Sequence, residues 1–286
     1  MTRLLALLAF TGAIFAQQRF EFHSNFWLNL HLRLYDEANA GRDAPAIYKN
    51  EIVKHDLLDD ESAQINNRLS RRENEQSLQG SGLAPELIAA LEAAAPAYRA
   101  KWAEMDRANR AWIERVTPLL VKHGSAIQSE LAKAYAMDWP TTPIRVDVVE
   151  VANWSGAFTT VDPPHITISS IDPGNQGDAA LEILYHESSH VIAGKMMRAL
   201  SAEAQTENKL YRRRDFWHAM LFYTTGEIVG RHLDGYTPYA IAHGLYDRSW
   251  PGVREILDAN WKPYLDGKIG MNDAIHRLLD AYGVPR

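Results

Sequence analysis

Leu181-Glu182-Ile183-Leu184-Tyr185-His186-Glu187-Ser188-Ser189-His190-Val191-Ile192 is the stretch on which the reading of this chain turns. Leu181, Leu184, Val191 and Ile192 recur at helical spacing, which predicts a helix running through Ala179 to Met197. Residues four apart project from one face of a helix, so the imidazoles of His186 and His190 can reach a single ion. Glu187, offset by one residue, can address a water on that ion rather than the ion itself. This is the H-E-x-x-H arrangement, in which zinc acidifies a water and the glutamate takes its proton. With 11 histidines in 286 residues, chance supplies about 0.03 such matches. A single match is therefore informative only together with its surroundings.

Upstream, the pattern has period two. Ile144, Val146 and Val148 alternate with Arg145 and Asp147, and Trp154–Val161 and His165–Ser170 read as two further strands around a proline turn at Asp162-Pro163-Pro164. From Phe20 to about Asp138 the spacing is helical instead, with Phe22, Phe26, Leu30 and Leu34 four apart and Pro96 and Pro118 each placed to open a new helix. His23, Trp27, His31 and Tyr35 form a stripe on the first of these helices, read as a packed face. The polar stretch Gly41–Gly82 reads as a broken, solvated helix with surface loops. Downstream, Asp215–His232, Ile256–Trp261 and Met271–Tyr282 read as helices, with a turn-rich segment between Asp234 and Gly252. The fold class is α+β, mostly helical, divided into a helical N-terminal region at 17–139 and a domain at 140–286 that carries the sheet and the motif.

Composition narrows the chemistry. The chain has no cysteine, a formal charge of -6 and a pI near 6.0. Thiolate ligands are excluded and there is no basic footprint for nucleic acid, so a metal must be held by His, Asp or Glu. Met1-Thr2-Arg3 followed by the apolar run Leu4–Phe15 and the small residue Ala16 reads as a signal peptide at 1–16, cut near Ala16-Gln17. The expectation is a secreted or periplasmic protein with no transmembrane span once that segment is removed.

A catalytic zinc needs a third protein ligand and an open position. A metzincin would have glycine at 193 and a ligand at 196, but Ala193 and Met196 stand there. Glu227 is the only carboxylate inside the apolar, aromatic helix that follows, and an isolated glutamate in such a setting calls for a positive partner. His218 and His232 are its rivals. His218, nine residues before Glu227, points about 180° away from it, so the two would not share an ion. His232 lies at the helix end, where it would answer the helix dipole.

On these residues the chain resembles the gluzincin group of zinc metallopeptidases over about residues 144–247. The resemblance implies a zincin-like core, Zn2+ held by His186, His190 and Glu227, Glu187 as general base, and a peptide or protein substrate. It also implies a Tyr or His donor to the developing oxyanion, for which Tyr246 and His243 are the candidates and Tyr223 a further one. Arg231 stands where many members have an Asp that orients a ligand, a role Asp234 could take one turn on. The resulting expectation is an exported zinc peptidase. The alternative is a non-catalytic binding module on a zincin scaffold.

Overall fold

The computed structural model describes residues 19–72, 76–152 and 155–286, so the expected signal segment and the residues Asn153-Trp154 lie outside the described residues. The protein is α+β and mostly helical, with a small mixed sheet. Its residues group into two compact units. One comprises the described residues up to 121 with Thr142–Ala180, and the other comprises Lys122–Thr141 with Leu181–Arg286. Among the described residues no helix is long and apolar enough to cross a membrane.

The first unit is organised by a four-stranded sheet of order β1-β2-β4-β3. Its strands are β1 (Phe20–His23), β2 (Ile144–Val149), β3 (Ala157–Val161) and β4 (Pro164–Ser169). β1 and β4 flank β2 in parallel and β3 is antiparallel on the β4 edge. Phe20–His23 was expected to be helical. It is a strand because Phe20 pairs in register with Ile144, and the helix starts only after Asn25, whose side chain accepts from the Leu28 amide as an N-cap. This pairing places strands 144–169 with the N-terminal helices, so the chain does not divide at 139/140. Val146, Val148, Ile166 and Ile168 are fully buried, as the alternating pattern requires.

The helices of this unit are α1 (Phe26–Asn39), α2 (Ala46–Asn50), α3 (Asp60–Ser70) and the N-terminal part of α4 (Pro85–Tyr135). The stretch 41–82 is not a solvated face. Tyr48, Leu69 and Leu78 within it are fully buried in one apolar cluster with Leu28 and Leu30 of α1 and Leu87 and Leu91 of α4. Of the expected stripe, Trp27, His31 and Tyr35 are internal packing on α1, whereas His23 lies on β1 beside Glu21: His31 Nδ1 lies 2.8 Å from the Tyr48 hydroxyl, Trp27 donates to the Gln76 carbonyl and Tyr35 to the His55 carbonyl. Pro96 and Pro118 do not start new helices but lie inside the 51-residue α4. Both are exposed, as are Glu92 and Glu114 four residues earlier, so water can satisfy the carbonyls that a proline leaves without a donor.

The second unit contains the end of α4, α5 (Asp178–Ile192, from Leu181 on), α6 (Gly194–Thr206), α7 (Phe216–Gly230), α8 (Tyr239–Ala242), α9 (Leu245–Ser249), α10 (Val253–Asn260), α11 (Lys262–Leu265) and α12 (Met271–Tyr282). The single helix expected over 179–197 is interrupted at Ala193, where α6 begins. A two-stranded pairing of β5 (Lys209–Tyr211) with β6 (Gly283–Pro285) returns the C-terminus to the loop before α7. Trp261, fully buried, donates to the Thr224 hydroxyl of α7.

In the first unit Asn109 of α4, fully buried, ties three segments together. Its amide donates to Ser24 Oγ at 3.0 Å and Asn29 Oδ1 at 3.3 Å, and its carbonyl accepts from Ser170 Oγ at 2.6 Å. Truncation would strand buried polar partners. Asn109→Ala is expected to lower the unfolding free energy by about 1–3 kcal/mol with an unchanged denaturant slope. A loss below about 0.5 kcal/mol in urea melts would show that the network adds nothing measurable.

Candidate metal centre

α5 buries several of its polar residues. Glu182, Ser188 and Ser189 are fully inaccessible, and His186 and Glu187 are nearly so. The two serines are satisfied within the helix, Ser188 donating to the Leu184 carbonyl and Ser189 to the Tyr185 carbonyl. His186 and His190 do share one face, with ring centres 5.1 Å apart.

The third group that joins them is His218 of α7. Its ring centre lies 5.1 Å from that of His186 and 5.2 Å from that of His190, and one ligand atom from each of the three residues falls within 4.8 Å of the others. His186 Nε2 and His218 Nε2 are 3.1 Å apart. Imidazoles whose nitrogens lie about 2.0–2.1 Å from one tetrahedral ion have those nitrogens about 3.3 Å apart and ring centres about 5 Å apart. The 3.1 Å separation of the His186 and His218 nitrogens and the three ring spacings are close to these values. Protonation also favours it. Burial, and then the neighbouring imidazoles, hold His186 far below the usual histidine range. Burial and His218 push His190 down to about 3, and burial pushes His218 to about 4 despite Asp215 nearby. All three rings are neutral at pH 7, which is the ligating form.

Glu227 is not in this group. Its carboxylate forms an ion pair with Lys262 at the start of α11. The spacing argument that His218 and Glu227 face opposite ways holds, but the face of α7 that meets α5 is the one bearing His218. Thr225 Oγ1 lies 3.2 Å from Ser189 Oγ, and Phe222 stacks on His186 with centres 3.7 Å apart. Residues 218, 222 and 225 fall on one side of a helix; 223, 224 and 227 fall on the other. Tyr223 accordingly donates to Asp258 and Thr224 accepts from Trp261. Arg231 pairs with Glu130 and Asp266, and His232 Nε2 with Glu130 Oε1 at 2.8 Å, so neither orients a histidine of the triangle. α7 is apolar almost all round, so no amphipathic pattern tells which side is inward. The available signal was His218 and Phe222 one turn apart, in a segment otherwise poor in ionisable side chains.

Aromatic rings close around the triangle. Trp217 meets His190 edge-on at 5.7 Å, and Trp250, held by its indole N–H to Asp215 Oδ2, meets His218 edge-on at 5.8 Å. Tyr239 stacks on Phe222 at 6.0 Å and on His243 at 4.0 Å. His243 is exposed, and its Nδ1 donates to the Tyr239 carbonyl, leaving Nε2 as its outward nitrogen. Tyr246 is buried. Burial and the charge of Glu182 raise its hydroxyl well above the usual tyrosine range, so it stays protonated. Tyr223 is committed to Asp258. Comparison of the chain with protein-family models, with curated proteins and with solved structures finds no match.

Two outcomes follow. Equilibrium dialysis against zinc is expected to give one ion per chain, lost in His218→Ala and retained in Glu227→Gln. The opposite pattern would move the third ligand to Glu227. Burial also raises the Glu182 carboxyl from 4.5 to about 7, despite the hydrogen bonds from the Tyr239 amide and the Tyr236 hydroxyl. A folded value above the unfolded one means that this group's contribution is fully present below about pH 4.5 and is lost as pH rises through about 7. The melting-temperature advantage of Glu182→Gln over wild type is therefore expected to grow from pH 5 to pH 8, and a pH-independent difference would contradict the shift.

Proposed function

We propose that this chain is an exported zinc-dependent hydrolase acting on peptide bonds, with His186, His190 and His218 as the metal ligands and Glu187 as the general base. The observation that carries the reading is the convergence of three neutral imidazoles beside a buried glutamate, one residue after the first of them. When bound, zinc supplies a Lewis acid that polarises the substrate carbonyl and acidifies a water. Glu187 accepts the proton of the attacking water on its carboxylate and passes it to the leaving amine nitrogen. Phe222, Trp217 and Trp250 exclude bulk solvent, which strengthens every charge interaction at the reacting atoms. Tyr246, through its hydroxyl, is the donor available on the segment after α7 for negative charge on the carbonyl oxygen; His243, whose Nδ1–H is given to the Tyr239 carbonyl, donates through Nε2 only as the imidazolium.

The chain order of strands, H-E-x-x-H helix and ligand-bearing helix is that of a zincin-like core, and we read it as one. A three-histidine set departs from the gluzincin pattern, since the carboxylate expected to complete it is paired with Lys262. Arg231, which stands where many members have an orienting Asp, is engaged by Glu130 and Asp266. Export rests on the 1–16 segment.

Glu187→Gln is the deciding variant. It is expected to keep stoichiometric zinc while cleavage of a mixed peptide library, read by mass spectrometry, falls at least about 10²-fold. Cleavage at the wild-type rate would remove Glu187 from the chemistry, and a wild-type protein that binds zinc but cleaves nothing would favour the binding module.

A further inference from the structure

His186 departs from what a metal-ligating histidine normally shows. With its Nε2 turned toward His218, its Nδ1 is buried and has no hydrogen-bond partner among the described residues. A ligand histidine usually donates its second N–H to a carboxylate or carbonyl, and that bond sets the tilt of the ring about a broad torsion. Here the ring is held by a face. Phe222 lies against it with centres 3.7 Å apart and planes 19° apart, while its contact with His218 is looser and tilted, at 5.1 Å and 44°.

Phe222 has a second aromatic neighbour. Tyr239 lies nearly parallel to it, at 6.0 Å and 13°, and His243 continues the column at 4.0 Å and 26° beyond Tyr239. The Tyr239 backbone N–H donates to Glu182 Oε2 at 2.8 Å. Glu182 stands one turn before His186 on α5, so the stack begins and ends on the same helix. Glu182, Tyr239, Phe222 and His186 are thus linked in sequence, and a tilt of the imidazole would have to displace a ring that itself packs against Tyr239.

We propose, building on the metal centre of the preceding section, that Phe222 is the positioning residue for His186, with its ring face replacing the usual hydrogen-bond acceptor. The chemistry agrees with the geometry. An aromatic face is electron-rich, and an imidazole bound to a cation carries part of that charge, so the stack is stronger when the metal is bound than when it is not. Leucine fills much of the same volume but offers neither the flat face nor the quadrupole.

The test uses the full chain with zinc and cobalt as probes. Competition against a chromophoric chelator is expected to show zinc binding weakened about 10–100-fold in Phe222→Leu, the range for losing a ligand's orienting partner. The visible absorption of the cobalt-loaded variant should shift from that of wild type. Phe222→Tyr, which keeps the face, should retain wild-type affinity. Melting of the metal-free proteins serves as the packing control, because a purely structural role would lower that melt without altering the cobalt spectrum. Phe222→Met provides the same comparison if the leucine variant does not fold. Wild-type zinc affinity and an unchanged cobalt spectrum in the leucine or methionine variant would overturn the proposal. Absence of zinc binding by the wild-type chain would instead overturn the metal centre on which it rests.

Discussion

The packing of α7 on α5 is the contact from which the site follows. Two buried hydroxyls, on Ser189 and Thr225, meet across it at 3.2 Å. Gly226 lets the polypeptide close in: a Cβ there would come within 2.8 Å of Pro238 Cβ and 3.2 Å of Glu182 Oε1. Glycine in a helix interior costs about 1 kcal/mol relative to alanine, and close approach is the usual compensation. Once Thr225 and Gly226 are set against α5, the rotation of α7 is determined at 100° per residue, and His218 and Phe222 must arrive at His186.

That rotation also sorts the charges. Glu227, Arg231 and His232 leave the contact and find partners in Lys262, Glu130 and Asp266, where partial exposure makes each pair inexpensive to maintain. On the inward side of α7 the ionisable group is His218, which can be buried neutral at small cost, whereas a carboxylate there would add to Glu182 and Glu187, already buried on α5. A two-histidine, one-glutamate set in this dry, aromatic environment would leave a buried anion whenever the metal was absent. Three imidazoles avoid adding that further charge.

Much of this was legible in the amino-acid sequence where one period dominates. The alternation at 144–149 and 164–169, and the one-sided helix Met271–Tyr282, can be assigned from spacing alone, although both strands bury their polar as well as their apolar residues. Pro96 and Pro118 were misleading because a proline's local rule, that it opens helices, gives way when its orphaned carbonyl can reach water. Phe20–His23 has too few residues to show its period, and its state is decided by a partner more than 120 residues away. The site divides in the same manner. His186, Glu187 and His190 are local to one helix and were readable; the third histidine depends on the rotation of a helix apolar on nearly every side, which no local pattern encodes.

The composition of α5 argues further that this contact is kept for chemistry rather than for stability. Between Leu181 and His190 five of the ten residues are fully or almost fully buried and polar, namely Glu182, His186, Glu187, Ser188 and Ser189. Apolar side chains of the same volume would pack at least as well, without the raised Glu182 carboxyl or the depressed histidines. Places where a sequence breaks its own local preferences without a structural gain are where function is expected. In α5 those breaks fall at 182, 186 and 187, and two of the three belong to the H-E-x-x-H motif, while Glu182 holds the tyrosine that braces Phe222 against His186. The buried polar residues of α5 and the three histidines are thus parts of one connected arrangement.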